Sequence, residues 1–312
     1  MPSGTENIFL ITAVGGCITG MLGNVFIVVV NCIDWVKSQK LSSADCILTC
    51  LAVSRIALLW ITLYDSSVIV LWPHLYAINK TSKFIAIFWT LSNHLSTWFA
   101  TCLSAFYFFK IANFSYPCFA WLRWRVGRVL LVLLLGSLFL LAFNIELADT
   151  LSDFWASVYK MCERNSTCSP DVSKTQYLNT LIAYSFMYFV PFLLTLTSLL
   201  LLLLSLMRHT RNVQLNSSSR DFSTEVHKRA MKMVMSFLLL FMLHVSFILL
   251  TGWIFLTLEK HKASLFVMLA STVFPSAHSF ILIWGNSKLR QIGLGLLWRL
   301  SCHLKRAKPL AS

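Results

Sequence analysis

Apolar residues in this chain come in long blocks rather than in alternation. Seven predominantly apolar runs, at about 8–30, 46–71, 84–111, 126–147, 178–207, 231–258 and 264–285, are separated by stretches that gather nearly all of the charge. About 20 residues at 1.5 Å each cross the roughly 30 Å of hydrocarbon in a bilayer. Inside lipid the backbone must satisfy its own hydrogen bonds, and runs of this length without strand-like alternation can do so only as helices. The pattern predicts an all-α membrane protein, a bundle of seven transmembrane helices over 1–285 with a cytoplasmic tail at 286–312. In the tail, Leu289, Ile292, Leu296, Leu297 and Leu300 fall on one helical face and Lys288, Arg290 and Arg299 outside it. Such a stripe predicts an amphipathic helix lying on the inner leaflet.

Composition agrees with the pattern. With 57% hydrophobic and 12% charged residues, the 312-residue chain has too little polar surface to cover a soluble globule. The first run lacks a basic flank and a small-residue cleavage site and is too long for a signal peptide, so it is expected to remain as helix one.

Charge sets the orientation. An extracellular N-terminus places eighteen Lys and Arg residues in the cytoplasmic loops and tail and seven in the extracellular loops, as basic residues retained on the inner side require. The net charge of +14 then finds its partner in anionic membrane lipid, and nucleic-acid binding is excluded. Of four sequons, Asn79 and Asn165 lie in outer loops and are the candidate glycosylation sites, Asn165 the better placed. Cys162 and Cys168 share that loop with Asn165, and a disulfide between them is left open.

Polar groups inside apolar spans are costly and point to function. Counted from the cytoplasmic ends, Asn24 of span one, Arg55 of span two and His278 of span seven fall in one layer, about 10–14 Å deep. A guanidinium there needs acceptors, and Asn24, His278 and Ser279 can supply them. The expected result is an intramembrane polar network, acting either as a latch or as plain helix packing. Pro275 provides a place for span seven to bend. Nearer the outside, Asp65, Trp89, Asn93, His94, Thr97 and, near the midplane, His244 form a second layer suited to a small-molecule pocket. Trp89 could instead belong to an interfacial belt, and His94 could be a packing residue. Phosphate-binding, zinc-protease, redox and nucleophile-elbow motifs are all missing, so neither an enzyme nor a cofactor nor a metal site is expected. A small-solute transporter remains the alternative from another class, although no internal repeat favours it.

Six segments, in order, carry a family resemblance: "GNVFIVVVNCIDW" from Gly23, "LTCLAVSR" ending at Arg55, "FYFFKIANFS" from Phe106, "PFLLTLTSLLLLLLSLMRHTRNVQL" from Pro191, "STEVHKRAMKMVMSFLLL" from Ser223, and "PSAHSFILIWGNSKLR" ending at Arg290. The chain resembles the type 2 (bitter) taste receptors, which are seven-helix G-protein-coupled receptors (GPCRs). The match runs from the first span to the tail. Span three ends in "FYFFKIA" rather than Asp-Arg-Tyr and span seven carries "HSFIL" rather than Asn-Pro-x-x-Tyr, departures from rhodopsin-like receptors that the bitter receptors share. Vomeronasal type 1 receptors are the related alternative.

The resemblance implies a multi-pass plasma-membrane receptor that binds small bitter molecules among spans two, three, five, six and seven. Trp89, Asn93, Tyr184, His244 and Met268 would line that site. It also implies coupling to a heterotrimeric G protein, gustducin or another inhibitory-type α subunit, through Tyr107, Lys110, Arg208, His209 and His227. A receptor oligomer completes the set of partners to consider.

Overall fold

The computed structural model describes residues 4–40, 42–71, 75, 79–112, 114, 116–164, 171–216, 222–257 and 260–307. Among them are nine helices: α1 (Gly4–Ser38), α2 (Ser43–Leu71), α3 (Asn79–Ile111), α4 (Pro117–Trp124), α5 (Val126–Arg164), α6 (Asp171–Asn216), α7 (Phe222–Thr257), α8 (Lys260–Gly285) and α9 (Ser287–Ala307). Seven of these are the long bundle helices, and α4 and α9 are shorter additions at one end of the bundle. Four stretches among the described residues, Ile11–Ser38, Ser43–Val68, Val126–Thr150 and Tyr188–Arg208, are long and apolar enough by themselves to cross a bilayer.

Helix α3 is the hub. It packs on α2, α5 and α6, while α1 closes the ring by packing on both α2 and α8, and α7 sits between α6 and α8. Close approach of α1 and α8 depends on Gly20, where an added Cβ would come within 2.8 Å of Ser276 Cβ and 3.0 Å of Leu59 Cδ1. A small residue here lets the backbones meet, the usual device for joining helices that gain nothing from burying apolar surface away from lipid. The opposite economy appears on α5, whose outer face leaves Val132, Phe139 and Phe143 exposed as a lipid-facing surface requires.

The helices overrun the apolar runs. Helix α5 continues to Arg164 and α6 spans 46 residues from Asp171. Hydropathy marks where lipid begins, whereas a hydrogen-bonded helix can continue into water until its capping or a breaker ends it. The eight-residue α4 was not anticipated, because windows of membrane length cannot register two turns. It begins at Tyr116 with Pro117 in the first turn, where proline's missing N–H costs nothing.

The tail starts as a separate helix. Asn286 Oδ1 accepts from the backbone N–H groups of Lys288 (3.0 Å) and Leu289 (3.3 Å), capping α9. Lys288 Nζ then pairs with Asp34 (3.0 Å) and Asp45 (3.3 Å), tying α9 to the ends of α1 and α2. Leu289 is fully buried, whereas Leu296, Leu297 and Trp298 remain exposed.

Candidate functional site

The inner polar layer is a single hydrogen-bonded chain across three helices. Arg55 is fully buried and donates from Nη1 to Ser279 Oγ at 3.2 Å and from Nη2 to His278 Nδ1. Arginine has no acceptor, so His278 Nδ1 must accept, which puts the ring proton of the neutral imidazole on Nε2. Ser279 Oγ donates to Asn24 Oδ1 at 2.8 Å and lies 2.7 Å from the Pro275 carbonyl. Asn24 Nδ2 in turn donates to the Gly20 carbonyl at 2.8 Å, at the crowded α1–α8 crossing. All four residues therefore meet, and together they join α1, α2 and α8.

Two aromatic residues missed in the sequence extend this chain. The His278 ring lies 4.0 Å from Phe237 of α7 and 5.5 Å from Phe274, and the Arg55 guanidinium sits over the Phe274 ring at 5.6 Å. Phe237 and Phe274 belong to one buried cluster with Phe241 of α7 and Leu199, Leu202 and Leu206 of α6. A cation over an aromatic face is attracted by the ring quadrupole, more strongly away from water. The Phe237–His278 contact brings α7 into the same assembly. Phe237 stands four residues from Phe241 and Phe274 four residues from His278, a spacing that could have marked them.

The outer residues are divided by the turn of α3. Asn93 donates from Nδ2 to Tyr188 Oη of α6 at 2.8 Å. His94, the next residue and about 100° around the helix, is turned toward α5. There Asn144 Nδ2 donates to His94 Nδ1 at 3.3 Å, and Trp98 lies 6.0 Å from the His94 ring. His94 thus does not share the face of Asn93. Trp89 packs against Leu58, Ile61, Val68 and Ile85 between α2 and α3, and Asp65 is half-buried on α2. Thr97 is half-buried and its carbonyl accepts from Thr101 Oγ1 at 3.0 Å. His244 stacks on Phe274 at 4.3 Å. The structure draws His244 toward the inner aromatic assembly, one ring removed from His278. Tyr188 and Asn144 were missed, although each is a polar residue in an otherwise apolar run. The side chains of Tyr184 and Met268 lie outside the described residues.

At the end of the bundle where α3 finishes, Tyr107 packs half-buried where three core clusters meet. Lys110 is exposed with Nζ 5.9 Å from the Phe106 ring centroid, and Arg208 is exposed. His209, His227, Asn79, Asn165, Cys162 and Cys168 lie outside the residues whose side chains are described. Among the described residues no group of three His, Cys, Asp or Glu side chains could hold a metal ion. At the opposite end Lys83, on the first turns of α3, bridges Asp149 (2.8 Å) and Asp153 (3.3 Å) of α5, and these carboxylates hold its ammonium above the usual lysine range.

The architecture is that of a seven-helix bundle with polar links at two levels. The model of the taste receptor protein (TAS2R) family matches residues 1–301. Taste receptor type 2 member 42 of Papio hamadryas is 51% identical over 316 residues, covering 99% of both chains. The chain belongs to the type 2 taste receptor family. The Homo sapiens member 42 receptor is 50% identical over 314 residues, again with 99% of each chain covered, and member 7 of Macaca mulatta is 46% identical over 312 residues, covering 99% of this chain and 98% of its own. This bitter taste receptor is accordingly a multi-pass membrane GPCR and not an enzyme. As in its family, the ligands are tastants and the signal passes to a G protein.

Proposed function

We propose that this receptor binds small bitter molecules in the outer half of the bundle, beside the Asn93–Tyr188 link, and signals inward to a gustducin-type or other inhibitory α subunit. The N-terminus is extracellular and the tail cytoplasmic, with α9 on the inner leaflet. The observation that carries the reading is the continuous assembly from Asn24 through Ser279, Arg55 and His278 to Phe237. It joins α1, α2 and α8 to α7 and lies inward of the Asn93–Tyr188 layer.

An agonist that contacts Asp65, Trp89, Asn93 or Thr97 better in one helix arrangement than in another shifts the population toward that arrangement, by no more than its differential affinity. The inner assembly converts that preference into a displacement of α7. Because Phe237 meets His278 in a tilted ring contact with no hydrogen bond, it can slide without breaking one. The moving helix uncovers Tyr107 beside the exposed Lys110 and Arg208, and with His209 and His227 they form a basic surface for the G protein at the cytoplasmic rim. The outer loop carries its glycan on Asn165.

The test is a panel of bitter compounds applied to cells that co-express the receptor and a promiscuous G-protein α subunit, with calcium as the readout. At least one compound should evoke a response that is absent from mock cells. That compound should be weakened by Asn93→Leu at unchanged surface expression. Epitope tags at the two ends should appear on opposite faces of the membrane, and tags on the same face would overturn the orientation.

A further inference from the structure

Helix α4 is an anomaly of the cytoplasmic face. None of its eight residues is buried. What holds it is Phe119, half-buried against Phe108 (5.4 Å), Phe109 (5.9 Å) and Phe114 (5.3 Å) at the end of α3. With that ring turned inward, the helix shows its other large side chains to the outside. Trp121 is 53% exposed, Trp124 80% and the preceding Tyr116 72%. Arg125 lies between the two indoles, its guanidinium 5.1 Å from the Trp121 ring and 5.6 Å from the Trp124 ring. Arg123 and Arg128 are exposed beside it, and no acidic residue occurs from Asn113 until Glu146. A pair of exposed indoles on so short a helix would be a liability in water. At a bilayer surface the same pair sits at headgroup level, its apolar body toward the chains and its N–H toward water.

We propose that the α4 segment is a binding site for an anionic lipid headgroup of the cytoplasmic leaflet. Trp121 and Trp124 seat in the interface while Arg123, Arg125 and Arg128 hold the negative headgroup. Three arguments select this occupant over a protein. The arginines have no acidic partner within their own segment, so the charge awaits an anion. Arg125 is fixed between the rings, which orders its donors beforehand and reduces the entropy lost on binding. The position between the ends of α3 and α5 places the helix at the membrane boundary, because α5 enters the apolar run immediately at Val126. The assignment to the inner leaflet rests on the orientation proposed above, but the site's preference for anionic lipid does not.

The experiment uses the full chain in nanodiscs, whose two leaflets carry the same lipid, so its outcome does not depend on orientation. Brominated phosphatidylserine and brominated phosphatidylcholine are compared, at one fixed mole fraction, as quenchers of tryptophan fluorescence. The quenching due to the site is the part lost in Trp121→Phe/Trp124→Phe. Each basic residue near an anionic surface favours it by about fivefold at most. With three in one segment, and salt screening discounted, the site's quenching should be about threefold or more greater for phosphatidylserine. This preference should fall in Arg123→Gln/Arg128→Gln and in 0.5 M salt. Equal quenching by the two lipids would overturn the proposal and leave an ordinary aromatic belt. So would an absence of site quenching combined with shielding of the two tryptophans by added inhibitory-type G protein, which would make α4 part of the protein interface. The lipid comparison needs only the wild type and the conservative Trp121→Phe/Trp124→Phe variant, so failure of the arginine variant to express leaves the test intact.

Discussion

Arg55→Met separates a structural role for the inner assembly from a signalling one, because the two give different signs. The guanidinium makes two bonds across helices, to Ser279 Oγ and His278 Nδ1. Interhelical hydrogen bonds in membranes contribute on average about 0.6 kcal/mol each and at most about 1.7. Removing the donor also leaves the His278 acceptor buried and unpaired, at about 1–3 kcal/mol. Ser279 loses less, since it keeps Asn24 and the Pro275 carbonyl. Against these losses of about 3 kcal/mol stands relief from holding an arginine in the apolar interior, about 2.5–3.5 kcal/mol on the insertion scale. Its described partners are neutral, so no charge is left stranded by the substitution, and methionine refills the space with an adaptable chain. The terms nearly cancel. Thermal unfolding of the purified receptor in detergent should shift by only a few degrees in either direction, equivalent to no more than about 2 kcal/mol. Surface expression should persist, while agonist-evoked calcium should fall to background, because α2 no longer grips α8 beside Phe237. A receptor that loses most of its stability would show that Arg55 is structural glue. Normal signalling at normal surface density would remove the assembly from the activation path.

Three further outcomes are expected. Gly20→Val should sharply lower surface expression by driving α1 from α8, at about 1–3 kcal/mol, whereas Gly15→Ala, with nothing within 4 Å of its added Cβ, should be tolerated; flow cytometry of tagged receptors compares them. Asn93→Leu and Tyr188→Phe should each raise agonist EC50, and a double-mutant cycle should give a coupling of about 0.6–1.7 kcal/mol, with zero coupling contradicting the 2.8 Å bond. The Lys83 pKa is raised in the fold by Asp149 and Asp153, so its contribution is complete below the ordinary lysine pKa of 10.5 and is lost as pH rises through the folded value. Unfolding temperature should therefore gain no pH dependence from this ion pair between pH 6 and 9, and Lys83→Gln should remove a stabilisation that salt also weakens.

The sequence determined that this chain is an all-helical membrane bundle, because the energetic cost of polar groups in lipid is written into each run independently of its neighbours. Counting residues along each helix also put Asn24, Arg55 and His278 at one level, and the three are joined through Ser279. The tertiary structure alone decided which way each side chain points around its helix axis and which helix it meets there. Adjacent residues Asn93 and His94 part company for that reason, one bonded to α6 and the other to α5. His244 was expected near the midplane as the innermost member of the outer layer, and the packing of α7 on α8 fixes its azimuth so that it stacks on Phe274. Partners such as Tyr188, Asn144 and Phe237 were hidden because a polar or aromatic residue in an apolar run has no address until the bundle closes. The short helix α4 escaped because a window of membrane length cannot register two turns, and its anchor, Phe119 in the aromatic cluster at the end of α3, shows itself only in the fold. Hydropathy sets position along the membrane normal, and packing sets rotation and neighbourhood.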